Sequence, residues 1–359
     1  MNMMNFRVFE KLIGLALALA LAVNYAGAQV TQATCGVPGT MVGKIDGKKV
    51  SLHTRVFPDG SIAVRAPLAV NPDGGVSSYT VGNHGFTYIA DGLARWKNGA
   101  RETCDTHCSQ KLLRAEVADF EPGTDEFCVF GIDVQPMIPG QQLNECRDGY
   151  IVGNGKGRLK KGKLISSVVG QEIQTYASTT SLRHLVAGSP AYLDSEALPI
   201  AVTPSAGLLG KLVWIGGPGL HATTAVIGDT GPAFGEGSIA LHQLLRYGAV
   251  TLQKPGPIPS DKRCGTEETS LKPPFTSKPD GGGKDRCAVG RHAVSSADIR
   301  ADAGIDGPIE FLVLGKAAFK SNGKVIQTEV TQGSILQLAA QAGYTSEKIS
   351  QMVACLNHQ

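Results

Sequence analysis

From Thr40 onward the apolar positions recur in short β-branched runs broken by turn residues, not in long helical stripes. Thr40 to Lys44 and Lys49 to Val56 flank Asp46-Gly47, a hairpin signal, and Ser61 to Arg65 follows Pro58-Asp59-Gly60. Val70 to Tyr79 reads as a turn-rich loop, and Tyr88 to Lys97 as a short helix or a loop. Tyr150-Ile151-Val152 runs into Gly153-Asn-Gly-Lys-Gly157, and Gln171 to Ser178 reads as strand and loop. Ala191 to Pro204 predicts a loop and a strand closed by proline. Leu212 to Ile215 and Ala222 to Ile227, joined by Gly216-Gly-Pro-Gly219, predict a hairpin, and Ile309 to Leu314 a buried strand. Only three stretches carry a helical period. One opens behind Ser238, with Leu241, Leu244 and Leu245 on one face; the others are Ser334 to Ala342 and Ser346 to Leu356, broken at Gly343. The pattern therefore predicts a mainly β domain, a small closed or partly closed barrel with a few helices and a helical C-terminal extension from 331 to 359.

The first 28 residues change where this domain is placed. Arg7 and Lys11 precede an apolar core from Leu12 to Val23 and then Ala26-Gly27-Ala28, which is the layout of an export signal. All eight cysteines lie beyond it, so a secreted or periplasmic protein with four disulfides is expected. Sequence proximity favours Cys264 with Cys287, and two pairs among Cys104, Cys108, Cys128 and Cys146. Asn98 to Asp148 is then a disulfide-pinned excursion without a core of its own. Lys254 to Arg286, rich in Pro, Gly, Ser and Lys, is an exposed loop. The domain itself runs from 29 to 330, with insertions at 98–148 and 254–287. Removing the leader lowers the net charge from +3 to +2, too little to draw a nucleic acid. No later run reaches the roughly 20 apolar residues of a membrane helix, so a monomer away from the membrane is expected.

Two acids stand out chemically. Asp229 closes the Ala222 to Ile227 run, and Glu236 precedes the helix that opens at Ser238, with glycines on either side of both. Two carboxylates across one tight connection are the raw material of glycoside hydrolysis: one protonates the leaving oxygen while the other activates water or attacks. Each acid also has a purely structural use, Asp229 in an Asx turn and Glu236 at the positive end of a helix. Other chemistries fit less well. The 153–157 glycines lack the following helix that a phosphate loop needs, so a hairpin turn is expected there. Cys104-Asp-Thr-His-Cys108 has no second ligand pair, the eight histidines lack zinc-enzyme spacing, and no Gly-x-Ser-x-Gly elbow occurs. No metal and no cofactor is expected. Trp214 is read as a core residue.

Four motifs follow one another in a recognisable order: Asp73-Gly-Gly-Val-Ser-Ser-Tyr79, Ser178-Thr-Thr-Ser-Leu182, Tyr192-Leu-Asp-Ser-Glu196 with Leu-Pro-Ile-Ala-Val-Thr-Pro204, and Ala225-Val-Ile-Gly-Asp-Thr-Gly-Pro232 with Gly235-Glu-Gly-Ser-Ile-Ala-Leu241. This set resembles the fungal-type chitosanases of glycoside hydrolase family 75, over roughly Val50 to Leu245. The resemblance implies a six-stranded barrel of double-psi type and an endo-acting, inverting hydrolase of chitosan or a related amino-sugar polymer. On the matching positions Glu236 is the general acid and Asp229 the general base. Asp73 and Asp194 match family positions and, with Glu196, supply the extra carboxylates that would steer a polycation; Tyr79 is an available aromatic platform. The connection between Asp229 and Glu236 is two residues shorter than is usual in the family. That departure motivates the alternative of a non-catalytic, secreted glycan-binding module on the same fold.

Overall fold

In the computed structural model of the chain, residues 35–45, 48–80, 87–88, 93–102, 106–141, 143–147, 149–168, 171–251 and 304–357 are described. The expected export signal and the expected 254–287 insertion, with its expected Cys264 to Cys287 bridge, lie outside them.

The alternating runs become strands whose inner faces meet in one core. β1 (Val37–Ile45), β2 (Lys48–Val56) and β3 (Ile62–Val70) form a meander; β4 (Ile200–Thr203), β5 (Lys211–Gly216), β6 (Thr223–Thr230), β7 (Glu236–Gly237) and β8 (Ile305–Ala318) complete the sheet. Their hydrogen-bonded order is β1-β2-β3-β7-β4-β6-β5-β8, and β8 pairs back onto β3, closing a barrel of six strands. Closure removes the exposed edges that an open sheet would present. Two of the pairings, β4 with β6 and β3 with β7, are parallel, and the others around the ring are antiparallel. The expected hairpin of β5 and β6 is present, and the expected strand at Ile309 to Leu314 is the middle of β8.

Alternate residues of these strands fill the interior. Val64, Ala66 and Leu68 of β3, Ala201 of β4, Val213 and Ile215 of β5, Ala225 and Ile227 of β6, and Phe311 and Val313 of β8 belong to one buried cluster. Phe234 enters it with its ring edge-on to Phe311, centroids 4.9 Å apart. Four α-helices are described: α1 (Thr106–Val117), α2 (Ile239–Tyr247), α3 (Gln332–Gln341) and α4 (Ser346–Ala354). Leu241 and Leu245 of α2 join the barrel core, so this helix seals the barrel rather than standing away from it. The C-terminal pair, broken at Gly343 as expected (φ 77°), docks on the barrel through buried Ile335, Ile349, Met352 and Val353. Arg65 reinforces the docking: it pairs with Glu310 at 2.7 Å and also donates to Leu356 O and Asn357 Oδ1.

The region from Leu93 to Tyr176 departs from expectation. Asn98 to Asp148 does have a core: Leu112 and Ala115 of α1 bury against Tyr79, Phe120, Phe127, Val129, Ile132, Val152, Leu159 and Tyr176. Tyr88 to Lys97, expected as helix or loop, forms the strands Thr87–Tyr88 and Leu93–Lys97 instead. Leu93–Lys97 pairs with Glu126–Val129 in a five-stranded sheet. Its partner lies about thirty residues away, which local periodicity cannot register. One of the two pairs expected among the clustered cysteines is Cys128–Cys146, which ties together strands on either side of Gly149–Val152; Cys104 lies outside the described residues. Cys35 and Cys355 are also disulfide-bonded. Gly153 to Gly157 is a turn, closed by Gly153 N–H to Gly157 O at 2.9 Å, but its two arms enter different sheets and so form no hairpin. Trp214 is half-buried rather than core, its ring lying against Gly216 on the outer face of β5.

Candidate functional site

A bulge places the first acid. Along β6, Ile227 pairs with Ala201 and faces the barrel interior, so simple alternation would send Asp229 inward as well. The register slips between Ala201 and Val202, leaving Gly228 and Asp229 together opposite Val202. The slip turns Asp229 to the outer face, a use of bulges common beside sites. Gly228 is needed there, because a Cβ would lie 2.5 Å from Leu193 Cδ1 and 2.8 Å from Ile200 Cγ2. On the other side of β4, Glu236 of β7 is likewise the partner of Val202. The two acids therefore stand on one face, in register, with Val202 between them. Two strand spacings put their backbones about 9.5 Å apart.

The connection between them is held by backbone contacts as well as by length. Gly231 N–H donates to Thr203 O, Phe234 N–H to Val42 O and Ala69 N–H to Gly235 O. Gly235 sits at φ 111°, where a Cβ would come 2.6 Å from Pro67 O; only glycine fits this turn. Ser238 then starts α2: its Oγ accepts from Leu241 N–H at 3.1 Å and Ile200 N–H at 2.9 Å, and donates to Leu198 O.

The two carboxylates sit in unlike surroundings. Asp229 is 7% exposed, and its Oδ1 accepts from Ser181 N–H (2.9 Å), Ser181 Oγ (2.7 Å) and Thr230 N–H (2.8 Å). Asn71 Nδ2 lies 3.5 Å from Oδ2. Burial pushes this carboxyl above its ordinary range, and the hydrogen bonds oppose the rise. Glu236 is half-buried, and among the described residues no donor reaches its carboxylate. Burial raises it too, the negative Asp229 adds to the rise, and Lys44 opposes it. Its Oε2 lies over Gly231, where a Cβ would approach within 3.7 Å. Both carboxyls are raised by burial; donors oppose the rise at Asp229, and the negative Asp229 adds to it at Glu236.

Beside Asp229 is a narrow concavity lined by Asn71, Asp73, Thr180, Ile200, Val202, Asp229 and Ser238. Asp73 thus joins the site from its loop. Its Oδ1 accepts from Tyr79 Oη at 2.6 Å, and its carboxylate lies against Gly131. Tyr79 is 5% exposed, so it orients Asp73 and offers no open platform for a sugar. Asp194 and Glu196 stand behind the wall. Asp194 Oδ1 accepts from Glu196 N–H at 2.9 Å in an Asx turn. Glu196, 3% exposed, accepts from Ser77 N–H at 2.6 Å and so anchors the Asp73 loop to the 194–196 turn. Gly74 makes that contact possible: a Cβ would lie 2.0 Å from Leu193 O.

Three residues of the site carry no local signal in the sequence. Asn71 precedes the Asp73 turn, Ser181 reads as an ordinary loop serine, and Lys44 lies 192 positions from Glu236. Ser181 is findable only through its place in the Ser178 to Leu182 motif. His242, inside α2, is fully buried with Nε2 against Ala69 O at 3.1 Å. Among the described residues no group of three or more His, Cys, Asp or Glu is arranged to hold a metal ion, and no helix is long and apolar enough to cross a membrane. No family profile and no curated protein matches the chain.

Proposed function

We propose that the protein is an exported, endo-acting glycoside hydrolase that cleaves chitosan or a related amino-sugar polymer with inversion. Glu236 is the general acid and Asp229 the general base. The observation that carries this reading is the in-register placement of two acids on either side of Val202, with unequal hydrogen bonding. A base must be ionised, and three donors on one Asp229 oxygen favour that state. An acid must keep its proton near neutral pH, and burial beside a negative neighbour favours that state for Glu236.

The backbone spacing of about 9.5 Å, imposed by β4, supports a wide carboxyl separation, nearer to the inverting class at about 6.5 to 9.5 Å than to the retaining class at about 5 Å. That spacing is set by strand pairing and not by the length of the 230–235 connection, so the shortened loop is compatible with it. Attack by water from the Asp229 side and protonation of the leaving oxygen by Glu236 then take place across Val202. Asp73 and Asn71, beside Asp229, supply polar contacts for an amino sugar.

Release of reducing ends from chitosan tests the assignment. Glu236→Gln and Asp229→Asn should each lower kcat by about 100-fold or more, and proton NMR of the first product should show the inverted anomer. Unchanged activity in both variants rules the assignment out. Retention on chitosan with no product from the unaltered protein would point to a glycan-binding module on the same barrel.

A further inference from the structure

The two sides of the acid pair differ in charge. On the Asp229 side the concavity carries Asp73 and Asp229 with Asn71, an acidic surround suited to an ammonium group. On the Glu236 side the positive charge that acts on the carboxyl is Lys44 of β1. That strand is fastened to the connection between the acids: Gly43 bridges Phe234, and Phe234 N–H donates to Val42 O at 2.9 Å. Gly43 is buried against Leu52, which belongs to the barrel core, so the alternation along β1 sends Val42 and Lys44 outward. Both are exposed. Lys44 thus projects on the outer side, as Glu236 does, and its charge is felt at the Glu236 carboxyl. Among the described residues it has no ion-pair or hydrogen-bond partner that would neutralise it.

A cation beside a general acid that carries its proton disfavours a second cation in the same place. We propose that Lys44 selects the sugar bound on the Glu236 side, admitting a neutral or anionic 2-substituent such as N-acetyl and rejecting a free 2-ammonium. The ammonium of the polymer is then received on the opposite side, by Asp73 and Asp229. The inference rests on the glycan-cleaving reading for its ligand class, and it narrows that class to a partly N-substituted amino-sugar polymer.

Equilibrium binding separates the two ideas, because it requires no turnover. Two glucosamine tetramers, one fully deacetylated and one carrying a single N-acetyl group, are titrated at low ionic strength by calorimetry into Glu236→Gln protein, which keeps Lys44, Asp73 and Asp229. The mono-N-acetylated tetramer should bind more tightly than the fully deacetylated one. Adding Lys44→Met should reduce that preference by about 1.4- to fivefold, the range for one exposed charge pair, and Lys44→Arg in its place should preserve it. Lys44→Glu should reverse it. Raising salt to about 0.5 M should erase most of the difference, because the Debye length shrinks. Equal preferences with and without the Lys44→Met substitution overturn the inference, as does failure of both tetramers to bind. Discrimination that survives in a protein that releases no reducing ends would leave Lys44 its role and remove the hydrolase.

Discussion

The barrel and the Leu93–Tyr176 lobe are both β structures with a buried core, yet they are stabilised differently. In the barrel, β8 returns to β3 and no edge of the ring is left open, so backbone pairing is continuous around the core. The lobe holds an open five-stranded sheet, pinned by Cys128–Cys146, with one helix, a two-stranded sheet and the paired strands Lys161–Val168 and Gln171–Tyr176. Asp229 and Glu236 both lie on the closed part, where strand register fixes their spacing. The lobe's contribution is indirect: Gly131 faces the Asp73 carboxylate, and Thr179 N–H donates to Gly131 O. The acids proposed to do chemistry are thus set by closure, while the residue proposed to orient a substrate depends on a sheet that carries a covalent tie.

Four changes test that contrast. The largest effect should come from the barrel core. Phe234→Ala removes a ring that is 1% exposed and stacks edge-on with Phe311, and should cost about 3–5 kcal/mol in urea unfolding. A cost below about 1 kcal/mol would mean the barrel is not the cooperative unit. Next, Cys128→Ala with Cys146→Ala should cost about 2–4 kcal/mol. Hydrogen exchange should speed up in Glu126–Val129 and Gly149–Val152 while β4 and β6 stay protected. Uniform loosening would erase the distinction between the two regions.

A smaller change aims at the bulge. Gly228→Ala should cost about 1–3 kcal/mol by overpacking against Leu193 and Ile200. It should also lower kcat more than KM, because Asp229 shifts with its backbone. An unaltered kcat would show that the bulge does not place the acid. The smallest effect concerns His184, whose Nδ1 accepts Val330 N–H at 3.0 Å and is therefore unprotonated. Burial holds its pKa below the usual imidazole value, with Glu329 and Asp194 opposing. A histidine depressed in the folded state gives stability that is present above its unfolded pKa, near 6.5, and lost as pH falls below it. Thermal melts should drop by about 2–4 °C per kcal/mol lost between about pH 7 and 5, and His184→Gln should flatten that slope. An equal slope in the variant would remove His184 from the account.

How much of this is legible in the chain depends on distance along it. β5, β6 and the loop between them are visible because a hairpin is local: alternation and Gly216-Gly-Pro-Gly219 specify it within about twenty residues. Helix α2 is visible because Ser238 and the Leu241, Leu244, Leu245 stripe are local too. The Leu93–Lys97 strand is not, since its partner Glu126–Val129 lies beyond helix α1 in the chain. Ser181 and Asn71 give no sign of their hydrogen bonds to Asp229, because neither residue type nor neighbours differ from those of an ordinary loop.

Side-chain period and turn chemistry, which act over a few residues, are enough to dictate a mainly β domain, the turns that frame it, the C-terminal helix pair and two acids flanking a short connection. Packing in three dimensions was needed for the closure of β8 on β3, for the bulge that turns Asp229 outward, and for the placement of both acids beside Val202. It also brought β1, which carries Lys44, alongside the connection between the acids. Such facts depend on register between strands far apart in the chain. A one-residue slip reverses every side chain of a strand, and only the packed core selects which register survives.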